Sequence, residues 1–174
     1  MKKRLLLVVL MGICLLGITG CGGSSNKDME SIKLTDESLK LTTTFQYDKK
    51  DGFKFEKNVT GGKFAEIEFS NEKLNLYFDV YYTEYSTATA KANKDHFSED
   101  TYFKEYKFGD YEAYSYGLDK NNLYLIINLK TDNDKATNLF VAITKINYDK
   151  ESVVFDIFKD DVLQDFFKSI KTEE

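Results

Sequence analysis

Leu74–Tyr85 (LNLYFDVYYTEY) is the longest stretch of two-residue alternation in the chain. Leu74, Leu76, Phe78, Val80 and Tyr82 fall on one side; Asn75, Tyr77, Asp79, Tyr81 and Thr83 fall on the other. A period of two belongs to a strand, and an apolar face opposite a mixed one belongs to an antiparallel sheet covered on one side. The pattern recurs outward in both directions. Phe64–Phe69 sets Ala65, Ile67 and Phe69 against Glu66 and Glu68. Leu123–Lys130 alternates through Leu123, Leu125, Ile127 and Leu129, and residues 139–147 turn Leu139, Val141 and Ile143 inward. Thr42–Tyr47, Phe53–Lys57, Tyr102–Phe108 and Tyr111–Gly117 read as shorter strands. Turns fall at Asp48–Gly52, Asn58–Gly62, Gly109-Asp110, Asp119–Asn122 and Thr131–Asn138, and Gly52 supplies cheap positive φ in the first.

Two stretches depart from this period. Thr87–Phe97, with Ala88, Ala90, Ala92 and Phe97, predicts a short, weak helix. Phe155, Phe158, Val162, Phe166 and Ile170, with Leu163 and Phe167 beside them, recur at three and four and predict a long amphipathic helix. Asp160 and Asp161 would cap it, and Lys168 and Lys171 would sit near its C-terminal end. Antiparallel strands, a short middle helix and a long closing helix packed on the sheet together predict an α+β domain over residues 41–174.

Residues 1–20 contain Lys2, Lys3 and Arg4 and no acid. The remainder holds 21 Lys against 29 acidic residues, a net charge of −8, together with all 12 Tyr and all 14 Phe. There is no Trp and no Pro. This acidic balance argues against a nucleic-acid partner, which needs a basic face. One His (His96) and two Cys (Cys14, Cys21) are a poor inventory for catalysis or metal binding.

Met1–Arg4 is a cationic start and Leu5–Thr19 is fifteen residues without charge, short for a permanent span. Ile18-Thr19-Gly20-Cys21 follows, and this order resembles the bacterial lipoprotein signal with its lipobox. The resemblance implies that residues 1–20 are a signal peptide cut after Gly20. It further implies that the Cys21 thiol carries the lipid, of the palmitate type, that anchors the chain. Two or three acyl chains give stable attachment where one gives little. Cys14 would leave with the peptide, so no disulfide is available to the mature chain. Gly22–Asp28 is small and polar, and residues 29–40 (MESIKLTDESLK) add few aliphatics, so 21–40 read as lipidated N-terminus and flexible tether. Lys-dominated basic usage without Pro points to an AT-rich genome and a Gram-positive cell surface.

Asp51-Gly52-Phe53-Lys54-Phe55, Phe108-Gly109-Asp110-Tyr111-Glu112-Ala113 and Phe166-Phe167-Lys168-Ser169-Ile170-Lys171 resemble stretches of the PsbP-like fold. Small bacterial lipoproteins often look like this. The likeness would cover residues 45–171 and implies an α+β sheet closed by a helix. That family shares no active site, so no catalytic residue carries over.

Motifs for chemistry are sparse. Ala113-Tyr114-Ser115-Tyr116-Gly117 fits a relaxed nucleophile elbow, but the context is strand into turn and His96 lies upstream. Asp132-Asn133-Asp134 begins like a calcium loop, yet Thr137 and Ile143 stand where Gly and Glu are needed. Glu66/Glu68 and Asp110/Glu112 are carboxylates two apart, which share a strand face and are the raw material of glycoside hydrolysis. Exposed faces of acidic proteins also produce such pairs routinely. Tyr77, Tyr81, Tyr114, Tyr116 and Tyr124 form a possible binding face, since Tyr is favoured at contact surfaces.

The expectation is a non-enzymatic binding or assembly module on the extracytoplasmic face of the cell membrane. No cofactor and no metal are expected, and the partner would be a protein or an envelope polymer. Its rivals are an envelope hydrolase using acidic residues, a substrate-capturing transporter lipoprotein, and an inhibitor or immunity-type lipoprotein masking a partner.

Overall fold

The computed structural model describes residues 28–61, 64–100, 102–119, 122–146, 158 and 160–174. The signal segment, the Gly20 cut and Cys21 lie outside the described residues.

Among the described residues, ten strands and two α-helices follow in the order β1 (Met29–Asp36), β2 (Leu41–Asp48), β3 (Phe53–Gly61), β4 (Phe64–Asn71), β5 (Leu76–Ser86), α1 (Thr87–Phe97), β6 (Lys104–Phe108), β7 (Tyr111–Asp119), β8 (Asn122–Asp132), β9 (Lys135–Lys145), α2 (Asp161–Lys168) and β10 (Lys171–Glu173). They form two antiparallel sheets. One has seven strands in the order β3-β4-β5-β9-β8-β7-β6; the other has three, β1-β2-β10. The period-2 face of the longest stretch is inward as expected: Leu76, Phe78, Val80 and Tyr82 are buried, beside Ile67 and Phe69 of β4 and Val141 and Ile143 of β9.

The three-stranded sheet and α2 cover that inner face. Tyr82 ties the layers together, its hydroxyl donating to Leu34 O at 3.0 Å and bonding Thr43 Oγ1 at 2.8 Å. Phe166 of α2 stacks on Phe53 (4.4 Å between centroids) and Phe45 (5.3 Å) and meets Phe69 at 5.0 Å. One side chain thus touches β2, β3 and β4. Phe167 reaches the other way, to Phe108 of β6 at 5.4 Å and Phe158 at 5.6 Å.

The α+β expectation with a long C-terminal helix, and the PsbP-like order drawn from it, are overturned. The described residues are mainly strand, and α2 has only 8 residues. The reason is local. Asp160 is extended (φ −66°, ψ 126°) and its carboxylate accepts the Val162 N–H at 3.0 Å, so the helix begins after it. At the other end the Ser169 N–H returns to Asp165 O at 3.0 Å, and the chain leaves to pair with β2. The spacing of three and four marked the inward side chains, Phe158, Leu163, Phe166, Phe167 and Ile170, all buried. It did not mark one continuous helix.

Residues 29–36 are likewise not tether. β1 pairs with β2 along its length, and Ile32, Leu34 and Asp36 are buried. Asp36 holds the connecting turn, accepting from Ser38 N (2.8 Å), Ser38 Oγ (2.6 Å) and Leu39 N (3.0 Å). Burial raises its pKa, but these bonds from Ser38 and Leu39 outweigh it and hold the carboxyl below its ordinary value. The folded part therefore includes Met29–Asp36, ahead of Leu41.

Candidate binding face

Antiparallel register carries the alternation of β5 across its neighbours, because directly opposed residues share a face. Glu66 opposes Tyr81, Tyr81 opposes Phe140, Phe140 opposes Ile126, and Ile126 opposes Tyr114. One row away run Glu68, Asp79, Ala142, Tyr124 and Tyr116. All of these point away from the three-stranded sheet. Of the two helices, α1 crosses this outer side.

The five tyrosines expected on a common face are all on it. Four of them meet in one ladder, completed by two phenylalanines. Tyr81 stacks on Phe140 (4.8 Å, 28°), and Phe140 meets Tyr124 at 5.5 Å. Tyr124 stacks on Tyr116 (5.3 Å, 22°), and Tyr116 on Phe97 of α1 (3.7 Å, 8°). Tyr114 flanks Tyr116 at 6.3 Å and Phe103 at 5.7 Å. Burial pushes the Tyr114 hydroxyl up to about 12, with the Tyr85 hydroxyl adding to it; burial also raises Tyr116, helped by Tyr114 and Tyr124. Between α1 and the sheet lies a groove of about 390 Å³ with Phe97, Tyr114, Tyr116, Ile126 and Phe140 in its walls. Amides of Asn128 and Asn138 supply polar groups at the same groove.

Tyr77 stands apart from the ladder and belongs to a second feature. Its hydroxyl donates to Glu68, which also pairs with Lys57 at 2.6 Å. Carboxylate oxygens of Glu66, Glu68 and Asp79 all lie within 4.8 Å of one another. Burial raises the Asp79 carboxyl, and Glu66 and Glu68 raise it further; a hydrogen bond from Tyr77 and the charge of Lys57 act in the opposite sense. Three carboxylates are hard donors of the kind that suit calcium, magnesium or manganese, although calcium takes six to eight oxygens. The three stand at the β4 end of the ladder on the open sheet, outside the α1 groove.

Ser115 is fully buried on the inner face of β7 opposite Leu125, whereas His96 is exposed on α1 across the sheet. The two cannot form a nucleophile–base pair. Asp132–Asp134 is a hairpin turn with Asn133 at φ 52°, and Asp134 O accepts the Thr87 N–H at 2.7 Å, opening α1. Asp110 sits in the exposed turn between β6 and β7.

Phe97, Phe103 and Phe140 escaped the sequence reading of this face. Phe140 was within reach, since it lies between inward Leu139 and Val141. The convergence of Asp79 on Glu66 and Glu68 depends on how β4 registers against β5, which no single strand encodes. Comparison with family models, curated proteins and solved structures gives no match for this chain.

Proposed function

We propose that this protein is a lipid-anchored, extracytoplasmic binding module, tethered through Cys21 and presenting the outer face of its seven-stranded sheet to a partner in the cell envelope. The observation that carries the reading is the run of contacting rings from Tyr81 to Phe97 on the side of the sheet without a second sheet. Rings on an inner face would be core; here Tyr81, Phe140, Tyr124 and Phe97 are half-buried, with Tyr116 buried beneath Phe97, and the run spans four neighbouring strands and borders a groove. Rigid amphipathic side chains in that setting offer contact area at low entropic cost.

Anchoring rests on the order of cationic start, apolar run and Ile18–Cys21. With net charge −8 beyond the leader, anionic headgroups would repel the domain, so the lipid must hold it. The binding reading is favoured over the hydrolase because the three carboxylates lie outside the α1 groove, the concave site that could hold a substrate beside them. An inhibitor is the same module with an enzyme as occupant.

A photo-crosslinking residue placed at Tyr124 in the full chain tests this. Adducts should form from position 124 and disappear when Phe140→Ala or Tyr81→Ala is added, while a probe at Glu37, on the other sheet, yields none. Adducts that form equally at 37, or that ignore the ring substitutions, would sink the reading.

A further inference from the structure

The acidic end of the ladder defines the chemistry of the occupant, taking the outer face as the binding surface. Glu68 opposes Asp79 directly across β4 and β5, and Glu66 stands beside both. Like charges in cross-strand register destabilise a sheet. Lys57 answers one of the three, at Glu68. Glu66 and Asp79 have no ion-pair partner among the described residues, so the patch carries two negative charges in excess. Exposed carboxylates elsewhere that do pair include Glu30 with Lys49 at 2.9 Å, Glu84 with Lys135 at 2.7 Å and Glu105 with Lys94 at 2.6 Å. What distinguishes Glu66, Glu68 and Asp79 is that their carboxylates converge within 4.8 Å where the rings begin. Tyr81 has Phe140 on one side of its ring and Glu66 directly opposite on the other strand.

We propose that this face docks an extended protein segment that places an arginine between Tyr81 and the carboxylates of Glu66 and Asp79, and an apolar side chain in the groove beneath α1. Charge complementarity selects the cation, and the neighbouring ring selects its type. A guanidinium is planar, stacks on aromatic faces and takes carboxylates through paired N–H bonds, whereas an ammonium is a compact hydrated charge. A hard metal ion would prefer more oxygens and fewer rings than this corner offers. The spacing is also defined. From β4 to β7 the face spans four inter-strand steps of about 4.8 Å, roughly 19 Å, which an extended chain covers in about six residues. The groove begins at Phe140, beside Tyr81, and ends at β7, so the arginine and the groove residue should lie no more than that far apart.

Selection of a random peptide library displayed on phage against the immobilised full chain, in detergent, tests the proposal without a known ligand. Selected peptides should be enriched in arginine with an apolar residue within about six positions of it. The double variant Glu66→Gln, Asp79→Asn should lose the arginine enrichment and bind the selected peptides roughly tenfold more weakly or worse, as loss of a hydrogen-bonded charge pair does. Glu37→Gln with Glu173→Gln changes the net charge equally on the other sheet and should leave binding unchanged. Equal loss in both double variants would reduce the effect to net charge and overturn the proposal. Peptides without arginine that still require Tyr124 and Phe140 would overturn the chemistry while leaving the binding face standing. No selectable peptide would overturn both. Calcium binding by calorimetry that the first double variant abolishes, with no arginine selected, would assign the corner to a metal and overturn the proposal. Circular dichroism of each variant checks that the fold is intact.

Discussion

The ring of Phe97, the last residue of α1, lies 3.7 Å from that of Tyr116 on β7, with 8° between their planes. This is the ring contact that fastens α1 to the sheet, beside the Lys94–Glu105 ion pair and the Thr87 N–H bond to Asp134 O. None of the 11 residues of α1 is buried, and its start is held by Ser86, whose hydroxyl accepts the Thr89 N–H at 3.1 Å.

Phe97→Ala should therefore free α1 without unfolding the sheets. Hydrogen exchange over residues 87–97 should quicken by an order of magnitude or more, while protection in β5 and β9 is kept, as expected of a local opening unit. Exchange that rises equally in all strands would show that the helix is integral to the core.

The Asp79 carboxyl is raised, which fixes a sign. The folded state holds this proton more tightly than the unfolded state does, so ionising it costs stability. The cost is fully present above the folded pKa and absent below the unfolded value of 3.8. Asp79→Asn should thus raise the melting temperature at pH 7, with the gain shrinking as pH falls toward that value. The same substitution is expected to weaken binding, so stability and binding should move in opposite directions, the trade common at functional sites.

Tyr82 provides an alkaline counterpart. Burial pushes its hydroxyl up to about 12, offset in part by bonding to Thr43. Below pH 10 both states keep the proton. Between 10 and about 12 the unfolded chain releases it first, so stability falls across that window. Tyr82→Phe should remove this share of the alkaline loss. At neutral pH the variant should cost about 1–2 kcal/mol, because Leu34 O and Thr43 lose a buried partner.

Phe166 joins α2 to both sheets, through rings on β2, β3 and β4. Phe166→Ala should cost about 3–5 kcal/mol in denaturant unfolding, the range for emptying a large buried ring. Gly52 is the backbone counterpart: at φ 88° an added Cβ would meet Lys73 Cγ at 2.8 Å. Gly52→Ala should cost about 1–2 kcal/mol from the left-handed conformation alone.

Much of the sheet was readable because each strand carries its own alternation. Leu76, Phe78, Val80 and Tyr82, like Leu139, Val141 and Ile143, point inward wherever their partners lie, and Thr87–Phe97 marks its own helix. Elements that depend on a partner were not readable. β1 has only Ile32 and Leu34 to show, and its identity comes from eight pairings with β2. β10 is three residues long. The C-terminal helix was overextended because Phe158 is buried as a helix residue would be, although Asp160 starts the helix after it. The binding face followed the same division. Its tyrosines were visible one strand at a time, whereas the carboxylate corner exists only in the register of β4 on β5.

The adduct yield from a crosslinker at position 124 in intact cells, per molecule of protein, with Cys21 present and with Cys21→Ala, tests the account most directly. A tethered module meets an envelope partner at raised effective concentration. The wild-type background should give a discrete envelope adduct from 124 and none from 37, membrane-bound and labelled by fatty acid. The Cys21→Ala background should release the protein and lower the yield roughly tenfold or more. Undiminished labelling and yield without Cys21, or equal adducts from 37 and 124, would contradict it.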